Sequence, residues 1–189
     1  MSRSRDRLRR ERGSTLLVII LVITFMLGVG VALLSVSGTG SRLAGNMRSQ
    51  EDAFNVAEAG FEAARIAIDR YFLEGSWSRL QDNCLTQPTG IDLPVESNYF
   101  RKLSDIAVIQ AVTAGSTGVV FYEQPMTRPG TSMSDPNRAY TVFLIDDEAG
   151  SPATPDPSDA LMVCIGVVRA GNRVLSTARI EVLIGVSSD

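Results

Sequence analysis

The chain has 189 residues, 21% charged and 44% apolar, enough for one globular domain with an appendage. It has no histidine and one lysine, Lys102, so the commonest general base and the favoured transition-metal ligand are missing, and the composition argues against an enzyme. The first twelve residues hold six arginines against Asp6 and Glu11; without residues 1–13 the rest carries 12 Lys+Arg against 19 Asp+Glu, a net of −7 that argues against nucleic-acid binding.

In "RRERGSTLLVIILV" (Arg9 to Val22) the basic leader meets an apolar segment at Gly13. No charge occurs from Ser14 to Ser41, and Leu16 to Val36 is apolar but for Thr24, Gly28, Gly30 and Ser35. At about 1.5 Å per residue this run reaches roughly 30 Å, the thickness of a bilayer core. It must be helical there, because lipid offers no partners for backbone polar groups. The arginines before it are expected to stay in the cytoplasm and the rest of the chain to be periplasmic or extracellular. A secretory signal peptide has a shorter apolar region and a small-residue cleavage site. Here the sequence reads on as helix, and no cysteine follows the run to make a lipoprotein.

Beyond the span, apolar residues recur at Leu43, Met47, Phe54, Ala57, Phe61, Ala64, Ile68 and Tyr71. This seven-residue stripe predicts an amphipathic stem whose part from Phe54 to Tyr71 packs into a core. Arg48, Glu51, Asp52, Glu58, Glu62, Arg65 and Asp69 fall on the opposite, solvated side. A helix from Ser14 to about Phe72 would be about 90 Å long. Gly28, Gly30, Gly38, Gly40 and Gly45 weaken it or allow close helix contact. Gly75 is the expected stop, followed by the loop "SWSRLQDN".

The C-terminal half reads as strands. "TGVVFYEQ" (117–124), "AYTVFLIDDE" (139–148) and the long run 160–185 are rich in β-branched residues. The last of these is a hairpin turning at Ala170-Gly171-Asn172. In its second strand, Leu175, Thr177, Arg179 and Glu181 alternate with Val174, Ser176, Ala178, Ile180 and Val182, which predicts one buried and one wet face. "RKLSDIAVIQAV" (101–112) fits helix or strand. "SPATPDPSD" (151–159), with three prolines, reads as a loop.

Two side-chain sets invite chemistry. Cys84 and Cys164 are an even pair in an exported domain and are expected to form a disulfide worth roughly 4 kcal/mol. Asp146, Asp147, Glu148, Asp156 and Asp159 flank the Pro-rich loop. Calcium accepts such oxygens, but the spacing is no EF-hand and a solvated acidic loop is the plainer reading. No other cofactor is expected.

The layout resembles a type IV pilin. The leader "MSRSRDRLRRERG" looks like a class-III signal, which implies cleavage by prepilin peptidase between Gly13 and Ser14 and methylation of the new amino terminus at Ser14. "SRLAGNMRSQEDAFNVAEAGFEAA" (41–64) resembles the start of the stem in PilX-type minor pilins. Its elements here are Ala44-Gly45-Asn46, Ala53-Phe54 and Ala57-Glu58-Ala59. The resemblance covers residues 7–70.

It implies an α+β, type IV pilin-like fold. Residues 1–13 would be the leader, 14–41 a transmembrane and filament-core helix, 42–73 the amphipathic stem, and 74–189 a globular domain built on a small antiparallel sheet. It also implies residence in the bacterial inner membrane before assembly and on the cell-surface pilus afterwards. The partners would be other minor pilins and the major pilin through the N-terminal helix, with a tip adhesin as a further candidate. Most pilins carry Glu at the fifth mature position; this chain has Val18. Without that carboxylate it has nothing to pair with the terminal ammonium of a subunit above it, since buried charges in an apolar core need partners. The missing Glu is shared with PilX-type minor pilins and with the related tip pseudopilin of type II secretion, and implies a place at or near the filament tip. The competing readings are a minor pseudopilin of a type II secretion system and a membrane-anchored periplasmic binding or enzymatic domain that keeps its leader.

Overall fold

The computed structural model describes residues 3–127, 130–146, 148–149 and 158–186. A long helix, α1 (Arg3–Leu73), precedes a short one, α2 (Asp105–Ala111). Four strands follow: β1 (Val119–Thr127), β2 (Ser134–Ile145), β3 (Asp159–Ala170) and β4 (Arg173–Gly185). The chain divides into two compact units, 1–45 and 46–189, and α1 contributes to both.

In the first unit, α1 is already helical from Arg3, upstream of the start expected at Ser14. Residues 3–13 hold no proline, and the single Gly13 costs a helix only about 1 kcal/mol. Thr15–Ser35 is long and apolar enough to cross a membrane, with a mean hydropathy of 3.0.

In the second unit, α1 from Asn46 onward (the stem) packs on an antiparallel sheet of order β1-β2-β3-β4. The stem stops at Gly75, as expected. That residue takes a φ of 70°, Gly75 N–H bonds Phe72 C=O, and Ser76 N–H bonds Tyr71 C=O at 2.9 Å. These paired bonds satisfy carbonyls at the helix end and need a left-handed residue.

The strand alternation sorts the core into two layers. Met162 and Cys164 of β3, with Val142 and Leu144 of β2, pack with Ala53, Val56, Ala64 and Ile68 of the stem. Val163, Ile165, Phe143 and Ile145 pack with Phe100, Val108 and Ile109 on the other face. Residues two apart share a face of a strand.

The stem's buried side is Ala53, Val56, Ala57, Gly60, Ala64 and Ile68. This corrects the stripe read from the sequence. Ala57, Ala64 and Ile68 are on the buried face, but Phe54 is 51% exposed. Small residues won over large ones because the backbones come very close. A Cβ on Gly166 of β3 would lie 2.3 Å from Ala53 O and 2.5 Å from Ala57 N, and one on Gly60 would lie 2.9 Å from the Tyr140 Cβ. No large side chain fits in that gap. Asp52, assigned to the solvated side, accepts from Arg138 Nη2 at 2.9 Å. Arg138 Nη1 also donates to the buried Asp135 at 2.8 Å, so one guanidinium ties the start of β2 to the stem.

The face of β4 expected to be wet is covered at Thr177 and Arg179, while Leu175 is 48% exposed. The ambiguous segment 101–112 forms α2, capped by Ser104 Oγ accepting from Ala107 N–H at 3.3 Å. Arg179 holds it down. Its Nε donates to Asp105 at 2.8 Å, Nη1 to Phe100 C=O at 3.0 Å and Nη2 to Leu103 C=O at 3.1 Å. Thr177 Oγ1 donates to the other Asp105 oxygen at 2.7 Å. The polar alternation was real, but its polar atoms meet a covering segment rather than water.

The two sheet edges differ. β1 pairs with β2 through three register irregularities, contains Pro125, and holds Glu123 at a φ of 42°. Arg169 donates to the Glu123 carboxylate, and Glu123 N–H bonds Thr141 Oγ1 at 3.1 Å. β4 pairs with β3 along its length with one irregularity, near the hairpin turn at Gly171.

Candidate functional site: the apolar segment and the outer face of the stem

Gly13, Ser14 and Val18 all lie within α1. From Leu16 to Leu34 the large apolar side chains are 43–75% exposed, on every side of the helix. A helix apolar all round calls for lipid or other helices. Thr24, the polar interruption in mid-span, donates to Ile20 C=O at 2.9 Å and so satisfies its hydroxyl within the helix. Val18 is 57% exposed and brings no charge to this surface. Gly28 leaves a shallow apolar depression beside Leu21, Phe25 and Ala32.

The stem motif splits by role. Ala53 and Ala57 are wholly buried and let the helix touch β3 at Gly166. Ala59 is half-buried. Ala44, Gly45, Asn46, Phe54 and Glu58 are exposed. Met47 and Phe54, one heptad apart, flank an open concavity with Gln50, Glu51 and Asn55. A second groove, of about 630 Å³, lies where the end of the stem meets the sheet, between Ile68, Phe72 and Leu73 on one side and Met162, Ile184 and Val186 on the other. These exposed apolar side chains lie beside Glu51 in the one and Arg65 and Asp69 in the other, and suit a protein surface.

The structure places Cys84 and Cys164 in the same core cluster but does not join them. Cys84 follows a short 3-10 turn and its Sγ faces Leu80 C=O at 3.6 Å. Cys164 sits in mid-strand opposite Val142. Burial in apolar surroundings pushes the Cys164 thiol up to about 12, so it is an unreactive thiol.

Of the acidic loop, Asp147 and Asp156 lie outside the described residues. Asp146 accepts from Glu148 N–H at 3.1 Å, and Asp159 opens β3. Among the described residues, no group of three or more metal-ligating side chains comes together.

Three positions of the second unit were missed by the sequence reading: Gly166, Arg179 and Asp105. Gly166 carried a signal, as the one glycine inside the apolar run "LMVCIGVV", where a strand glycine marks close approach of another backbone. Arg179 and Asp105 carried none, because their pairing spans 74 residues.

Comparison with protein-family models, with curated proteins and with solved structures returned no match to the chain.

Proposed function

We propose that this chain is a minor pilin of the PilX type, which helps initiate type IV pilus assembly and sits at or near the pilus tip. The observation that carries the reading is a bare apolar helix, Thr15–Ser35, running in sequence into a stem whose small residues dock on a four-stranded antiparallel sheet. The charge step at Gly13-Ser14 and the motif residues from Ala44 to Ala59 add to it.

In this reading the span serves twice. It anchors the precursor in the inner membrane, with the arginines on the cytoplasmic side, and after cleavage it enters the filament core. The exposed Phe54 and Glu58, with the apolar surface around Met47, face neighbouring pilins. The sheet domain is offered outward, where a tip adhesin is a candidate partner. Val18 ends the charge pairing that would let another subunit stack above, so the subunit caps.

The test is genetic and microscopic. Deletion should abolish surface pili and leave exoprotein release intact, and immunogold should label tips only. Val18→Glu should spread the label along the shaft. Loss of exoprotein release with pili intact would favour the type II secretion reading, and tip-only label for Val18→Glu would refute the capping role.

A further inference from the structure

We propose that β4 pairs edge to edge with the β4 of a second copy of this chain, antiparallel and about a two-fold axis at Ile180. Sheet edges expose unpaired backbone groups, and proteins normally blunt them. The β1 edge is blunted by its register breaks, the left-handed Glu123 and Pro125, which has no N–H to offer. From Ser176 to Gly185, β4 has an unbroken register, no proline and no left-handed residue.

The phase of the ladder fixes which groups are on offer. Val186 N–H donates to Ser158 C=O at 2.8 Å, so even-numbered residues back to Ser176 turn their backbone groups toward β3. The N–H and C=O of Thr177, Arg179, Glu181 and Leu183 therefore point away from the sheet. Three of these side chains are held in place. Thr177 and Arg179 bind Asp105, and Glu181 accepts from Arg101 Nε at 2.8 Å. The edge is thus prearranged, which lowers the ordering cost of pairing.

The charges on this edge choose both the occupant and the register. In an antiparallel pair about an axis perpendicular to the sheet, each face continues onto the same face of the partner, and outward-pointing residues pair with outward-pointing residues. An axis at Arg179 or at Glu181 sets like charges opposite each other, which is destabilising. An axis at Ala178 or Val182 sets both charges opposite uncharged residues. Centred on Ile180, the pair sets Arg179 of each copy opposite Glu181 of the other, with Thr177 opposite Leu183. Asp105 beside Arg179 and Arg101 beside Glu181 continue the alternation of sign away from the seam. On the stem side, Ile180 meets its own equivalent and Ala178 meets Val182, all half-buried in the single chain, so the apolar layer runs on across the seam. The edge thus matches a strand with opposite charges two residues apart and apolar residues between and beside them, and β4 is such a strand. An alternating peptide without that pair satisfies the backbone of the edge but not its charges.

Every residue invoked belongs to the second unit. The pairing goes beyond the pilin reading and depends on neither leader cleavage nor the pilus.

The test is cysteine cross-linking of the full chain in detergent micelles under a mild oxidant. The axis puts residue 180 beside its own equivalent at a non-hydrogen-bonded position, about 4.5 Å between Cα atoms, which a disulfide spans. Ile180→Cys should therefore give a disulfide-linked dimer. Val182→Cys, on the same face, should stay monomeric, because its equivalents stand about 13 Å apart along the strands. Glu181→Arg added to Ile180→Cys sets arginines opposite each other and should cut the dimer yield about tenfold. In the chain without substitutions, the amides of Thr177, Arg179, Glu181 and Leu183 should exchange more slowly as protein concentration rises, while β1 amides stay unchanged; this needs no variant to fold. Equal cross-linking at residues 180 and 182, as association through the apolar segment would give, would overturn the proposal. So would a dimer yield untouched by Glu181→Arg, or edge exchange independent of concentration. An Ile180→Cys chain that stays monomeric would overturn it too and leave the edge to another polypeptide.

Discussion

Gly166 of β3 lies directly under Ala53 of the stem, so close that a Cβ there would stand 2.3 Å from the Ala53 carbonyl oxygen. The obstacle is backbone on both sides, so no rotamer change relieves it. Gly166→Ala should destabilise the second unit by about 3 kcal/mol, at the upper end of overpacking costs. Thermal melting of the variant checks this, and an unchanged melting temperature would contradict the close stem–sheet contact.

Arg179 should act as the latch of α2. Its side chain is 15% exposed and that of Asp105 18%, and three of its bonds reach the 100–105 segment. Arg179→Met should cost about 2 kcal/mol by leaving the half-buried Asp105 without its cation. Amide exchange in Asp105–Ala111 should rise more than in the stem, which distinguishes local release from global loss.

The Cys164 thiol gives a pH dependence. Its proton is held more tightly in the fold, up to about 12, than in the unfolded chain, where it leaves near 9.0. The unfolded state therefore loses its proton first as pH rises. This stabilising contribution is full below pH 9 and declines by about 1.4 kcal/mol per pH unit between 9 and 12. Denaturant melts of wild type and Cys164→Ala should converge over that range. Alkylation should label Cys164 only after denaturation, and a mass two hydrogens short would instead show the Cys84–Cys164 bond.

Phe54 is the exposed member of the stem motif. Phe54→Ser should change stability by less than about 1 kcal/mol, as is usual at the surface. It should nevertheless reduce pilus number, since the side chain is assigned to a neighbouring subunit. A large loss of stability would return Phe54 to the core.

The apolar span, the stem's stop at Gly75 and the final hairpin were legible in the sequence because each is written in a local period or a turn residue. The sheet was legible for the same reason. The facing of the stem was not. Heptad spacing identified a stripe but favoured its largest members, whereas close approach at Gly166 and Gly60 rotates the helix to bury alanines and leaves Phe54 outside. The second covering layer was hidden too. Arg179 and Thr177 read as solvated because nothing in their neighbourhood announces Asp105. For the cysteines, parity and compartment say that two could pair, but not where their sulfurs point.

The proposed pilin role requires Gly13 to be a cut point. Mass spectrometry of the membrane-extracted mature chain measures this directly. The prediction is a chain that begins at Ser14 with a methylated amino terminus. An intact Met1 end would contradict it and leave a membrane-anchored domain in place of a pilin.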